Sequence, residues 1–584
     1  MRRAAVPALA HLVLASGKTL SSVSALRASI PCRREVPEGD IAQWSRRIGP
    51  YPTTSAIEGV ASDVDLLSKN CTARSKFSRT TDPPICLWSR NQLEIRNGNV
   101  SENSPHMRVS QYYKLGRSQP TLSFVDVKLD GDIALYISPR AVRLTPTPLG
   151  QECTSLIRNF FATVIDLIKR KKHQEAVALL RQLKEPNETH LGVSTDVGRG
   201  RGLASTKAAE MWEAFSKSKA AASGLLSDLE DTVLFIDGIR EDIVSDITTN
   251  IIREPLIRFT QEVCAYHGIP LTPNVSSGPV WNPKKRGWEV KYVSLPTPED
   301  EKLLLVPKEF VRLNMDYDVD KYYQHYILEY LQDSELGAQS ELVKTLKDGT
   351  PYVTKKDCKE KHGGGKTLIT NITMQDPSIL QRYKDENQKI SPPLSHSQIA
   401  DVEGSRKPNW DKLLSDVTKV KAGLKDASKY EKAVEALITA LFYPVLLHPI
   451  PQHEIHDGRK RIDITYSNMA STGFFSWLSK HHPSGNIFFE CKNYGREIGN
   501  PELDQLSGRF SMNRGKFGLI VCRSLEDRVL LEKRCKDTAQ DQRGFVIALN
   551  DDDLASLVEA RRKNLDEEFF ELPMFRDRFQ KLVG

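Results

Sequence analysis

At 584 residues the chain exceeds what one hydrophobic core supports, so several domains are expected. Its net charge of +7 and pI near 8.7 permit nucleic-acid binding without demonstrating it. Nine cysteines form no CxxC pair, which argues against a zinc ribbon or a disulfide framework and for a reducing setting, and no apolar run is long enough to predict a membrane span.

Residues 1–106 read differently from the rest. The first 34 residues hold six basic residues (Arg2, Arg3, Lys18, Arg27, Arg33, Arg34) and no acidic one. That pattern fits a transit peptide. Disorder, or an over-extended start ahead of Met107, accounts for it better, because the stretch to 106 has weak periodicity and much Ser, Thr, Arg and Asn.

Residues 107–390 predict a mainly helical α+β domain of unknown role. LSFVDVKL (122–129) and IALYISP (133–139) read as two strands joined at Asp130-Gly131. Apolar residues at Leu156, Phe160, Phe161, Val164, Ile165 and Ile168 predict a helix over 153–172, and another is expected over 174–184. GRGRG (198–202) reads as a solvated basic loop. Asp242, Asp246 and Asn250 are four apart and would share a helix face, one that could cap backbone or hold a metal or amine. The helix over 255–267 ends at Gly268. LLLVPK (303–308) predicts a strand. Residues 319–333 predict a helix whose tyrosines (322, 323, 326 and 330) suit a core or could stack bases. HGGGKT (362–367) lacks the first glycine of a phosphate loop, since Glu360 stands there, and reads as an ordinary loop. Residues 391–424, with Pro392, Pro393, Gly404 and Pro408, predict a linker.

The chemistry is expected in 425–584. A helix over 428–443 carries the stripe Tyr430, Val434, Leu437, Ile438 and Leu441, with Ser428 and Glu431 spaced as a capping box. A hairpin turning at Asp457-Gly458 would set Glu454 opposite Arg461 and Gln452 opposite Asp463. TGFFSWLSKHHPSG (472–485) predicts a short covering helix. IFFECKNY (487–494) reads as a buried strand on which Glu490 and Lys492 share one face, with Phe489 and Cys491 on the other. A helix over 501–514 follows, capped by Asn500 and ended by Gly515, with Gln505 and Arg509 one turn apart and Arg514 near its end. Strands at 516–523 and 544–550 alternate with helices at 526–542 and from Asp551. The predicted class is α/β with a mixed sheet and an αβββαβ core.

A buried carboxylate and lysine at the end of an apolar strand are costly unless they have work to do. Asp463 on one strand, with Glu490-Cys491-Lys492 on the next and this order of elements, resembles the PD-(D/E)xK restriction-endonuclease-like superfamily. The nearest branch is the Mrr-type (type IV restriction) endonucleases. The resemblance covers about residues 425–550. It departs from the family pattern at Ile462, where the named proline would stand, and Glu490 keeps an acid where Mrr-like members often carry Gln.

The resemblance implies a Mg²⁺-dependent DNA endonuclease. Asp463, Glu490 and the Cys491 carbonyl would bind the metal, and Lys492 would orient or help deprotonate the attacking water. Glu431 and Gln505 match residues found near the active strand. Arg509 and Arg514 would reach phosphate or remain solvated. DNA is the implied partner, with a homodimer and a defence-system protein as further candidates and the cytoplasm as the location. Plainer readings stand beside these: Asp463 paired with Arg459 or Arg461, Glu490 with Lys492 as a simple ion pair, Glu431 as a cap, and Cys491 as a packed thiol. Carboxylates sealed in by arginine would count against catalysis. The alternative is a catalytically inactive nuclease-fold subunit that binds DNA; a third is a separate activity around Asp242 and Asp246.

Overall fold

The computed structural model gathers five strands of the C-terminal half into one sheet. Residues 107–192, 204–315, 317–388, 392–405, 407–564 and 573–584 are described, all within a unit spanning Val100–Gly584. The N-terminal segment 1–106 and the GRGRG loop lie outside the described residues.

Helix α1 (Ala427–Phe442) leads into β1 (Leu446–Ile455) and β2 (Lys460–Asn468), then α2 (Gly473–His481), β3 (Asn486–Lys492), α3 (Asn500–Ser507), β4 (Phe517–Cys522), α4 (Arg528–Gln540), β5 (Phe545–Leu549), α5 (Asp551–Lys563) and α6 (Pro573–Val583). The sheet order is β5-β4-β3-β2-β1. β1, β2 and β3 pair antiparallel, whereas β3, β4 and β5 pair parallel. The protein is thus a mixed α/β molecule. Its central strand, β3, has Ile487, Phe488 and Phe489 fully buried, as expected for a strand covered on both faces. The α1 stripe from Tyr430 to Leu441 is buried against this sheet. Helix α2 covers it too, burying Phe474, Phe475 and Leu478.

The hairpin forms in the expected register, with Glu454 opposite Arg461 and His453 opposite Ile462. Its turn spans residues 456–459, and Gly458 there has φ 80°.

Three elements differ from expectation. Helix α3 ends at Ser507 with Gly508 as its cap, well short of Arg514. The chain turns there so that Phe510 can stack on Phe488, with ring centroids 5.8 Å apart. The stretches 122–139 and 303–308 form no hairpin or long strand. Leu122, Phe124, Val125 and Val127 are all buried, so no solvent face fixes a local pairing for the first expected strand. Their backbone groups instead meet distant partners: the Val125 amide donates to the Val306 carbonyl, and that of Ile133 to the His190 carbonyl. The expected linker carries the helix His396–Glu403, whose His396, Ile399 and Glu403 are buried.

Elsewhere in 107–390 the segment is mainly helical. Pro148–Lys169, His173–Leu180, Glu241–Ile251 and Arg253–His267 are helices, the last ended by Gly268 at φ 71°. The hairpin Thr272–Asn282 with Gly287–Leu295 had no sequence expectation. Its strands are half-exposed and lack clean alternation.

Candidate active site

Two strands and two helices bring the predicted residues together. Ile464 on β2 pairs with Phe489 on β3, the last pair of that ladder. One step further, the same register would set Asp463 opposite Glu490, so both carboxylates project from the same face. The strands stop pairing at this point because the Cys491 amide donates to Asp463 Oδ2 at 2.8 Å. The Asp463 carboxylate therefore abuts the backbone between Glu490 and Lys492.

Glu490 is 1% exposed and Lys492 6%. Lys492 Nζ donates to Glu490 Oε1 at 2.8 Å and to Gln505 Oε1 at 3.0 Å. The Gln505 amide nitrogen in turn donates to Glu490 Oε1. Carboxylate, ammonium and amide thus close a three-membered ring of hydrogen bonds. Arg509 Nη1 lies 3.1 Å from Glu490 Oε2, yet that oxygen accepts no hydrogen bond. Glu431, half-buried on α1, accepts from the Gln452 amide.

The electrostatics mark the three carboxylates as neighbours. Burial pushes the Glu431 carboxyl up to about 7, with the Asp463 and Glu490 charges adding to it against Gln452 and Arg461. Burial and the Asp463 charge likewise raise Glu490 above the ordinary range, against Lys492 and Arg509. Burial works against the Lys492 ammonium, but the Glu490 carboxylate beside it holds its pKa above that of a free lysine.

Two plainer readings fail here, whereas the expected Glu490–Lys492 ion pair forms at 2.8 Å. The capping box is not formed: Asp426 precedes α1 and makes no side-chain cap, so Glu431 is free to face the sheet. Asp463 has neither expected arginine partner among the described residues. Arg459 pairs with Asp457 at 3.4 Å, and Arg461 is exposed. Glu454 stands across from Arg461 and is exposed. Cys491 is half-buried and packs at the margin of the core rather than within it.

Other placements differ. Arg509 is buried and ion-paired rather than projecting to solvent, because α3 ends before it. Arg514 lies beyond the helix and donates to the Arg509 carbonyl at 3.1 Å. Sequence reasoning missed Gln452 as the partner of Glu431, although the hairpin register already set it opposite Asp463. The tyrosines 322, 323 and 326 are buried, so they serve the core. Asn250 is buried and donates to the Lys184 and Asp246 carbonyls, a structural role. His481 and His482 pack on Trp477.

The profile of a family described as "Domain of unknown function (DUF8370)" matches residues 114–318. That is about a third of the chain, and none of the site residues falls within it. No curated protein and no solved structure matches the chain.

Among the described residues, no cluster of three or more His, Cys, Asp or Glu forms a ready metal cage. Magnesium does not require one, since it is commonly held by one or two carboxylates and keeps several waters. The donors fit such an ion: hard carboxylate oxygens on Asp463 and Glu490, the Cys491 carbonyl, and a buried Glu490 Oε2 without a hydrogen bond. Among the described residues, no helix is long and apolar enough to cross a membrane.

Proposed function

We propose that this protein is a Mg²⁺-dependent DNA endonuclease of the PD-(D/E)xK type, related to the Mrr branch and acting in restriction or genome defence. The observation that carries the reading is the contact of the Asp463 carboxylate with the backbone between Glu490 and Lys492. Two carboxylates and a lysine from two strands thereby share one face, beside Glu431 and Gln505.

Asp463, Glu490 and the Cys491 carbonyl would hold the ion. Bound there, Mg²⁺ supplies a Lewis acid that polarises phosphate and lowers the pKa of water. Lys492 sits between Glu490 and Gln505, where its ammonium can orient a water and offset charge developing on the phosphate. Gln505 fixes that ammonium and is itself exposed, so the site opens to solvent on its side. Glu431, raised to about 7, can accept a proton near neutral pH.

The test is plasmid DNA incubated with protein and Mg²⁺, beside Asp463→Ala and Lys492→Ala. Wild type should nick or linearise the plasmid, and both variants should lose at least about 100-fold. The Arg509–Glu490 pair favours a second reading, a nuclease-fold subunit that binds DNA without cutting it. Salt-sensitive DNA retention with an intact plasmid at every Mg²⁺ concentration would select it.

A further inference from the structure

Glu490 uses its two oxygens differently. Oε1 is engaged by Lys492 and Gln505, the pair that the proposed chemistry uses. Oε2 is buried, accepts no hydrogen bond, and has the Arg509 guanidinium 3.1 Å away. With Oε1 engaged, Oε2 is the Glu490 oxygen left for a divalent ion shared with Asp463.

Arg509 is held in that place from outside the site. Its Nη1 donates to the Gln505 carbonyl at 3.0 Å, the last turn of α3. Its own carbonyl accepts from Arg514 Nη2, and its Nε is buried without a partner. The residue stands in the turn Gly508–Gly515 rather than on a rigid helix. That turn is pinned by the Ser511–Gly515 backbone pair, and Met512 and Asn513 are exposed at its tip. A side chain so mounted can leave Glu490 by rearranging one turn while the sheet stays fixed.

We infer that Arg509 is an autoinhibitory latch: it occupies Glu490 Oε2 in the metal-free protein and competes with the divalent cation for that oxygen. This rests on the nuclease reading of the site. Because two cations cannot share one buried oxygen without strong repulsion, metal loading requires the guanidinium to withdraw. The latch lowers the metal affinity of the resting enzyme and shifts the cation dependence of its activity to higher concentration.

The test is calorimetric titration of the full-length protein with Mn²⁺ alone, for wild type, Arg509→Gln, Arg509→Lys and Asp463→Ala. Arg509→Gln should bind Mn²⁺ about 10–100-fold more tightly than wild type, while Arg509→Lys, which keeps the cation, stays near wild type. Equal or weaker binding by folded Arg509→Gln overturns the latch and leaves the nuclease reading standing. Binding unaffected by Asp463→Ala, or no binding by any form, overturns both. Hydrogen exchange of the wild-type turn 508–515 gives a readout that does not depend on a variant folding. Saturating Mn²⁺ should speed exchange there, and unchanged or slower exchange contradicts the inference.

Discussion

One carboxylate oxygen, Glu490 Oε1, is gripped from two sides by Lys492 and Gln505, and this sets the position of the ammonium. Removing the amide should loosen Lys492 without exposing a charge, because Glu490 keeps its lysine. Gln505→Ala should therefore lower kcat by about 10–100-fold while leaving the KM for DNA nearly unchanged. A fall confined to KM would instead mean that Gln505 binds DNA and does not position the lysine. At this scale the sequence was informative where spacing within a strand or hairpin decides geometry. Alternation put Glu490 and Lys492 on one face, and the turn residues set the register of Asp463. It failed for Arg509, whose direction depends on where α3 stops.

That stop is a matter of elements. The chain leaves α3 at Gly508 and returns through Gly515 to β4, and close packing fixes the two ends of that path. Gly515 has φ 135°, and a Cβ there would lie 2.7 Å from the Asn486 carbonyl oxygen at the start of β3. Both the backbone conformation and the space exclude a side chain. Gly515→Ala should destabilise the protein by about 2–4 kcal/mol, read as a lower urea midpoint with an unchanged slope. A midpoint equal to wild type would show that the turn is not held as described. A helix pattern over 501–514 hides this break, since Phe510 fits helical spacing as well as it fits the stack on Phe488. The failed hairpin at 122–139 has a related cause. Local alternation there resembles a two-faced strand, but 124–127 are buried without a break and the backbone partners are remote in sequence, which short-range patterns do not encode.

At the scale of the molecule, residues 107–403 and the sheet domain meet through buried polar contacts that a proline-rich stretch did not suggest. Glu435 on α1 takes an ion pair from Arg117 at 2.5 Å and a hydrogen bond from Tyr266 at 2.9 Å. His396 contacts the Ala440 carbonyl at 2.9 Å, and Lys308 lies 4.0 Å from the centre of the Tyr443 ring. Glu403, fully buried in the same region, is pushed up to about 8 by burial. The Arg108 guanidinium, 3.6 Å away, opposes this without cancelling it. The folded protein keeps a proton on Glu403 that the unfolded chain releases near 4.5. Stability from this group is full below about 4.5 and is lost as pH rises through about 8. Glu403→Gln should match wild-type Tm near pH 5 and exceed it near pH 9. A difference that is the same at both pH values would mean that Glu403 is ionised throughout.

A nuclease of this design requires Asp463 and Glu490 to share one cation. Diffraction from crystals soaked in Mn²⁺, with data collected at the manganese edge, tests this directly. The expected result is a single anomalous peak in contact with both carboxylates and the Cys491 carbonyl, with the Arg509 guanidinium withdrawn from Glu490. No peak at saturating Mn²⁺, with Arg509 still seated on Glu490, would contradict it.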